Sequence, residues 1–135
     1  MLGAVVAGGI IGVVLRELLL LPFTTDAGAA ATGLVVPAAT MGVNVLGSFA
    51  LGVVVGALAD RHPLARAFVG TGVLGGFTTY SAFALHTATL LGPAPIAAVT
   101  LAVLSVLLGL LAAALGLRLT RRGGAAGPGT PEATR

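Results

Sequence analysis

The sequence has no cysteine and no tryptophan, and only 8% of its 135 residues carry a charge. Without cysteine, the chain cannot form disulfides, thiolate nucleophiles or cysteine-ligated zinc sites. An average soluble domain has about 25% charged residues, so this chain has too few charges to cover a water-exposed surface. Hydrophobic residues make up 57% of it instead. This composition places the chain among integral membrane proteins.

The sequence also lacks the residue groupings that enzymes and nucleic-acid-binding proteins need. Its seven basic residues, all arginine, cluster near the ends of hydrophobic runs and form no basic face with interleaved aromatics, so we expect no nucleic-acid partner. His62 and His86 are too few to build a metal site alone, and no nucleophile, base and orienting residue occur together. We therefore expect that the chain is not an enzyme.

Four long hydrophobic runs follow one another along the chain, and each reaches the roughly 20 residues that a spanning helix needs. The runs cover residues 2–21, 33–59, 64–91 and 96–117. Pro22 should end the first helix, because proline lacks an N–H and its ring clashes with the preceding turn. The first run lacks the positively charged N-terminal region of a signal peptide, and it continues into an Arg-Glu pair. Both features favour a retained helix over a cleaved signal. The pattern predicts an all-α integral membrane protein, with a four-helix transmembrane domain over residues 1–122 and a disordered tail over 123–135.

The charged residues are distributed unequally between the two sides that four spans define. Both termini and the connection between helices two and three share one side, which collects Arg61, Arg66, Arg118, Arg121, Arg122 and Arg135. The other side has Asp26 and, at the end of helix one, Arg16. Arginine-rich segments stay in the cytoplasm. We therefore expect a multi-pass plasma-membrane protein with both termini cytoplasmic.

Helices one and two each carry a face of small or polar residues. Gly8, Gly9, Gly12 and Arg16 share one face of helix one, where the glycines allow a neighbouring helix to approach closely. Arg16 either has a function or extends its charge to the interface. Helix two carries a stripe of Thr40, Asn44, Gly47 and Ser48. Asn44 either bonds a neighbouring helix or points its amide donors into an aqueous pathway, which would favour an anion.

Helix three contains the segment GGFTTYSAF at residues 75–83. Glycine and threonine are poor helix formers, so this segment predicts a break near the bilayer midplane. Such a break is tolerated where the freed backbone groups find protein, water or an ion, and carbonyls at broken helices elsewhere coordinate cations. The alternative is a mere kink, relieved by threonine hydroxyls that bond back to the preceding turn.

Three stretches of the chain resemble, in order, the signature stretches of the CrcB/Fluc family of small fluoride channels. They are GGIIGVVLR (8–16), ATMGVNVLGSFALG (39–52) and GVLGGFTTYSAFA (72–84). The resemblance covers all four spans, although helix four matches only in composition and position. It implies a dimer of antiparallel four-helix subunits with two narrow pores that export fluoride passively and so prevent fluoride toxicity. It also implies a structural sodium ion at the helix-three breaks.

By this resemblance, the fluoride pathway would consist of Asn44, Tyr80, Phe83, Ser81, Thr79, Ser105 and Arg16. Asn44 would be the pore-lining donor, and Tyr80 and Phe83 would fill the two phenylalanine positions of an aromatic box. Ring edges carry partial positive charge, so they could face a dehydrating anion. Arg16 would attract anions at a vestibule. The backbone carbonyls of Gly75 and Thr78 would bind the sodium ion.

Two departures from the family pattern and the arginine distribution affect the expected assembly. Tyr80 stands where the family usually has phenylalanine, so one of the two pores could be altered or silent, and helix four lacks an expected pore-wall aromatic. An antiparallel homodimer requires one chain to insert in both orientations, which needs nearly balanced loop charges. The loop charges of this chain are not balanced, so we hypothesise that it pairs with a homologous subunit of opposite orientation.

Two other functions are compatible with a four-helix membrane protein. A small multidrug-resistance-type exporter would exchange protons for a cationic drug at a deeply buried carboxylate, whereas Glu17 sits at a helix end and the chain has a single tyrosine. A non-conducting assembly subunit would use only its small-residue faces for packing. Such a subunit would show no ion flux.

Overall fold

The computed structural model of the chain describes residues 1–24, 33–58 and 62–123, and all regular structure in these ranges is helical. The helices are α1 (Leu2–Thr24), α2 (Val35–Leu58), α3 (residues 63–77), α4 (Tyr80–Leu91) and α5 (Pro95–Gly123). Helices α1, α2 and α5, together with the combined stretch Pro63–Leu91, are long and apolar enough to cross a membrane. The predicted all-α protein with four candidate spans is therefore confirmed for the described part of the chain.

The first and last helices both extend beyond their hydrophobic runs. Helix α1 continues through Pro22 to Thr24, so the prediction that it ends at Pro22 is wrong. Because Pro22 lies in the last turn, its missing N–H removes only one late hydrogen bond, and the Thr24 hydroxyl donates to the Leu21 carbonyl at 3.1 Å. Helix α5 runs to Gly123, beyond the end of the fourth hydrophobic run at Leu117. Residues 124–135, which make up nearly all of the predicted tail, lie outside the described residues.

Glycines hold α1 against α3. A methyl group on Gly12 would overlap the Val73 carbonyl oxygen, and one on Gly8 would overlap the Phe68 carbonyl oxygen. A glycine of α3 is needed for the same contact, because a methyl group on Gly76 would overlap the Gly9 carbonyl. Such backbone-to-backbone contact is how helices pack where lipid supplies no hydrophobic drive. The predicted close-packing role of the helix-one glycines agrees with this geometry.

Glycines also hold α2 against α5. A methyl group on Gly52 would overlap the Ala113 carbonyl, and one on Gly116 would overlap the Phe49 carbonyl. Gly56 lies against the side chain of Thr120, whose hydroxyl donates to carbonyls of its own helix at 3.1 Å. The bundle is thus built from two glycine-packed helix pairs. Most of the large apolar side chains of α1 and α5 are exposed on the outside, as suits contact with lipid.

The third candidate span changes its backbone geometry along its length. Helix α3 consists of one α-helical turn (Pro63–Arg66), a π-helical segment (Ala67–Leu74) and a final turn (Gly75–Phe77). Thr78 then has φ −81° and ψ 154°, and Thr79 has φ −143° and ψ 113°. Both residues are extended, and α4 begins at Tyr80. We call Thr78 and Thr79 the extended pair.

Candidate functional site

Asn44 of α2 binds both backbone groups of Thr79. The Thr79 N–H donates to Asn44 Oδ1 at 2.8 Å, and Asn44 Nδ2 donates to the Thr79 carbonyl at 3.1 Å. Thr79 is buried, with 8% of its surface exposed. A buried backbone group without a partner costs about 1–3 kcal/mol. The asparagine amide therefore replaces the hydrogen-bond partners that a continuous helix would have supplied at this position.

The threonine and serine hydroxyls close the two helix ends beside the extended pair. The Thr78 hydroxyl and the Thr78 N–H both donate to the Leu74 carbonyl at 3.0 Å, which ends α3. The Thr79 hydroxyl accepts from the Ala82 N–H at 3.2 Å and so forms the N-cap of α4. Ser81 Oγ lies 3.2 Å from Thr79 Oγ1. Threonine back-bonding is thus present at Thr78, together with two extended residues.

The extended pair removes the helical hydrogen-bond donors of two backbone carbonyls, those of Gly75 and Thr78. In a continuous helix the Gly75 carbonyl would accept from the Thr79 N–H, which here donates to Asn44. The Thr78 carbonyl would likewise accept from the Ala82 N–H, which here donates to the Thr79 hydroxyl. Both carbonyls lose their helical donors. They are the two carbonyls that the sequence resemblance assigns to sodium.

Arg16 binds a third carbonyl next to the extended pair. Its Nη1 lies 3.4 Å from the Gly76 carbonyl oxygen, and its Nε and Nη2 donate to Glu17 Oε1 at 3.1 and 2.9 Å. The Arg16 side chain is 19% exposed, and that of Glu17 is 65% exposed. The guanidinium is therefore directed towards the end of α3, and Glu17 partly neutralises its charge. Sequence reasoning did not find the contact between Arg16 and Gly76.

A cavity of about 330 Å³ lies beside the extended pair, where α2, α3, α4 and α5 meet. It brings together most of the predicted pathway and sodium residues: Asn44, Gly75, Thr78, Thr79, Tyr80, Phe83 and Ser105. Ser81 and Arg16 do not line this cavity. The remaining lining residues are Gly47, Ser48, Leu51, Gly70, Leu74 and Val106, so no charged side chain from the described part of the chain borders it. Amide, hydroxyl, peptide and aromatic groups provide its polarity.

Two aromatic rings stand at the edge of this cavity. The ring centroids of Tyr80 and Phe83 are 5.9 Å apart, and the ring planes are tilted by 40°. Tyr80 is 80% exposed, whereas Phe83 is half-buried. The edges of such rings carry partial positive charge and their faces carry partial negative charge.

Gly47 allows the end of α3 to reach α2. A methyl group there would overlap Thr78 Cγ2 and would lie 3.2 Å from Phe77 Cδ1. Gly47 lies three residues after Asn44, so both face the extended pair from the same side of α2. Two residues of the predicted stripe on helix two, Asn44 and Gly47, therefore contact the extended pair.

The fold and the site define a small multi-pass membrane protein with an uncharged polar cavity beside two extended residues. The sequence model of the family described as "CrcB-like protein, Camphor Resistance (CrcB)" matches residues 3–117, and the chain belongs to this family. The resemblance inferred from the three sequence stretches is therefore confirmed.

Curated relatives with the name "Fluoride-specific ion channel FluC" are similar to most of the chain. The protein from Erythrobacter litoralis is 43% identical over 122 residues, which cover 87% of this chain and 89% of the relative. The protein from Mesorhizobium japonicum is 43% identical over 121 residues, covering 87% of this chain and 93% of the relative. The protein from Thermotoga petrophila is 36% identical over 123 residues, which cover 84% of this chain and 89% of the relative.

Proposed function

We propose that this chain is a subunit of a fluoride-selective channel that exports fluoride passively across the cytoplasmic membrane and so limits fluoride toxicity. The observation that carries the proposal is the pair of hydrogen bonds by which Asn44 holds Thr79 in extended geometry beside an uncharged polar cavity. The names of the relatives support fluoride as the transported ion.

The cavity offers donors to a small anion, and none of the side chains that line it is charged. An asparagine amide has two N–H groups, and only one of those on Asn44 is needed for the Thr79 carbonyl. The second N–H, the hydroxyls of Thr79 and Ser105, and the ring edges of Tyr80 and Phe83 can replace water around fluoride. Ser81 contributes through its contact with the Thr79 hydroxyl, and Arg16 raises the local anion concentration at the mouth of the pathway.

A sodium ion would fit the carbonyls of Gly75 and Thr78, beside the extended pair. Oxygen atoms are the ligands that hard cations prefer, and the carbonyls of Gly75 and Thr78 have lost their helical donors. Bound sodium would supply a fixed positive charge and would hold the ends of the broken span together. Within one chain these two carbonyls fill only part of a coordination shell, so the proposed site would be completed by the same carbonyls of a second subunit.

The proposed assembly is a dimer of antiparallel subunits, with the break in the third span near the bilayer midplane. The arginine distribution supports one fixed orientation of this chain, with both termini cytoplasmic. A homologous subunit of opposite orientation would then complete the dimer. In such a dimer the two pores differ, and the Tyr80 hydroxyl would alter the pore whose wall it joins.

Fluoride efflux from liposomes tests this function. The chain is reconstituted alone and together with a homologous partner subunit, and fluoride and chloride efflux are measured in parallel. We expect fluoride efflux without chloride efflux, and no requirement for a proton gradient. Absence of fluoride flux in both preparations would contradict the proposal and favour a non-conducting assembly subunit. Flux of organic cations coupled to protons would favour the small multidrug exporter.

A further inference from the structure

A second, smaller cavity lies directly beyond the cavity described above. Phe83 and Ser105 line both cavities, so the two spaces meet across these side chains. The smaller space measures about 10 Å³, which is about the room that one water molecule needs. A fluoride ion is of similar size. Its other lining residues are Pro37, Thr40, Met41, His86, Thr87, Leu90 and Leu101.

Thr40 and His86 are two of the polar residues that line this small cavity. Thr40 Oγ1 lies 3.4 Å from His86 Nε2. Thr40 is buried, with 2% of its surface exposed, and His86 is half-buried. Neither residue belongs to the fluoride pathway predicted from the sequence. Their contact joins α2 to α4 three residues beyond Phe83.

We propose that Thr40 and His86 form a proton-dependent binding site for a small anion, which continues the pathway beyond Phe83. The identity of the anion as fluoride rests on the function proposed above. In the Nδ1–H tautomer, neutral His86 accepts a hydrogen bond at Nε2 from the Thr40 hydroxyl. Protonation makes Nε2 a donor, so Thr40 can turn its O–H towards an anion, and the imidazolium adds a charged N–H donor.

The surroundings of His86 favour an anion as the partner of its protonated form. The cavity side chains from α2 and α5 are uncharged and cannot titrate, and the same holds for Thr87 and Leu90 on α4. In the described residues the single carboxylate is that of Glu17, which binds Arg16. A buried cation needs an opposite charge nearby. A small anion from the larger cavity can supply that charge, and it leaves when His86 loses its proton.

Two measurements on the reconstituted protein test the site. The first is NMR of 15N-histidine-labelled protein in bilayers, titrated with sodium fluoride or sodium chloride at pH 8 and pH 5.5. We expect fluoride to shift the ring signals of His86 at pH 5.5 and not at pH 8. The signals of exposed His62, assigned with His62→Gln, should not move. The proposal would be overturned if fluoride leaves the His86 signals unchanged at both pH values, or if these signals do not change with pH.

The second measurement is the fluoride concentration that half-saturates efflux between pH 8 and pH 6, corrected with protein-free liposomes for hydrogen fluoride crossing the lipid. One linked proton lowers this concentration by up to about tenfold per pH unit, and we expect a decrease of several fold. His86→Gln and Thr40→Val should each abolish most of the pH dependence, whereas His62→Gln should retain it. Equal pH dependence in His86→Gln and the unmodified chain would overturn the proposal. Absence of any fluoride efflux, with His86 signals still shifted by fluoride, would instead contradict the proposed channel function.

Discussion

The Thr79 N–H donates to Asn44 Oδ1 at 2.8 Å, and the same asparagine returns a hydrogen bond from Nδ2 to the Thr79 carbonyl at 3.1 Å. One side chain on α2 thereby satisfies both backbone groups of a residue that has left helical geometry. The same amide borders the polar cavity. Stability and ion passage are therefore expected to depend on one residue.

Replacing Asn44 should destabilise the protein. Asn44→Leu keeps a similar size but leaves the buried Thr79 N–H and carbonyl without partners, at a cost of about 1–3 kcal/mol for each group in the free energy of unfolding. Denaturant unfolding in detergent micelles measures this change. Ser48→Ala is the matched control on the same helix, because the Ser48 hydroxyl donates only to the Asn44 carbonyl of its own helix. Equal stability of the two variants would contradict the proposed role of Asn44.

Gly12 and Gly9 should respond differently to alanine. A methyl group on Gly12 would overlap the Val73 carbonyl oxygen, whereas one on Gly9 would meet no atom within 4 Å. Gly12→Ala should therefore cost about 1–3 kcal/mol, as overpacking usually does. Gly9→Ala should be neutral or stabilising by about 0.5–1 kcal/mol, because alanine is the better helix former. Thermal unfolding of both variants in the same detergent compares them, and a destabilised Gly9→Ala with an unaffected Gly12→Ala would contradict the packing.

Removing the Tyr80 hydroxyl should preserve or increase fluoride flux. Tyr80→Phe keeps the ring beside Phe83, and therefore the ring edges that we propose to face the anion, while it removes a polar group from the proposed pore wall. Fluoride efflux rates of this variant and of the unmodified chain at equal protein density give the comparison. A loss of most of the flux would show that the hydroxyl, and not the ring edge, contacts the ion.

The chain should insert in one orientation. A reporter fused after residue 135 should give only cytoplasmic signal when the chain is expressed alone, because six arginines lie on the predicted cytoplasmic side. Adding arginines to the opposite connection should introduce external signal and so provides the control for the reporter. A mixture of both signals from the unmodified chain would support a homodimer in place of the proposed heterodimer.

Hydrophobic run lengths predicted the four candidate spans, and the residue types in GGFTTYSAF predicted the neighbourhood of the extended pair. The partners of the polar groups were not predictable in the same way. Asn44 bonds a residue 35 positions away, and Arg16 reaches a carbonyl 60 positions away. Such contacts depend on the rotation and depth of each helix against its neighbour, which a single sequence does not specify.

The backbone geometry likewise includes features that the sequence predicted and features that it did not. The sequence indicated poor helix formation near Gly75, and the segment Ala67–Leu74 also contains Gly70 and Gly72, but these residue types do not specify its π-helical geometry. Close packing of α3 against the α1 glycines accompanies that geometry. The continuation of α1 past Pro22 also differs from the prediction, since proline in a last turn removes little hydrogen bonding.

The most direct test of the central claim is fluoride efflux from liposomes that contain Asn44→Ala, Phe83→Ala or Ser48→Ala, each in the assembly that conducts with the unmodified chain. If the cavity beside the extended pair carries fluoride, Asn44→Ala and Phe83→Ala should lose most of the flux, and Ser48→Ala should retain a larger share of it. Circular dichroism and size-exclusion profiles of all three verify folding. Unchanged flux in folded Asn44→Ala and Phe83→Ala would contradict the account.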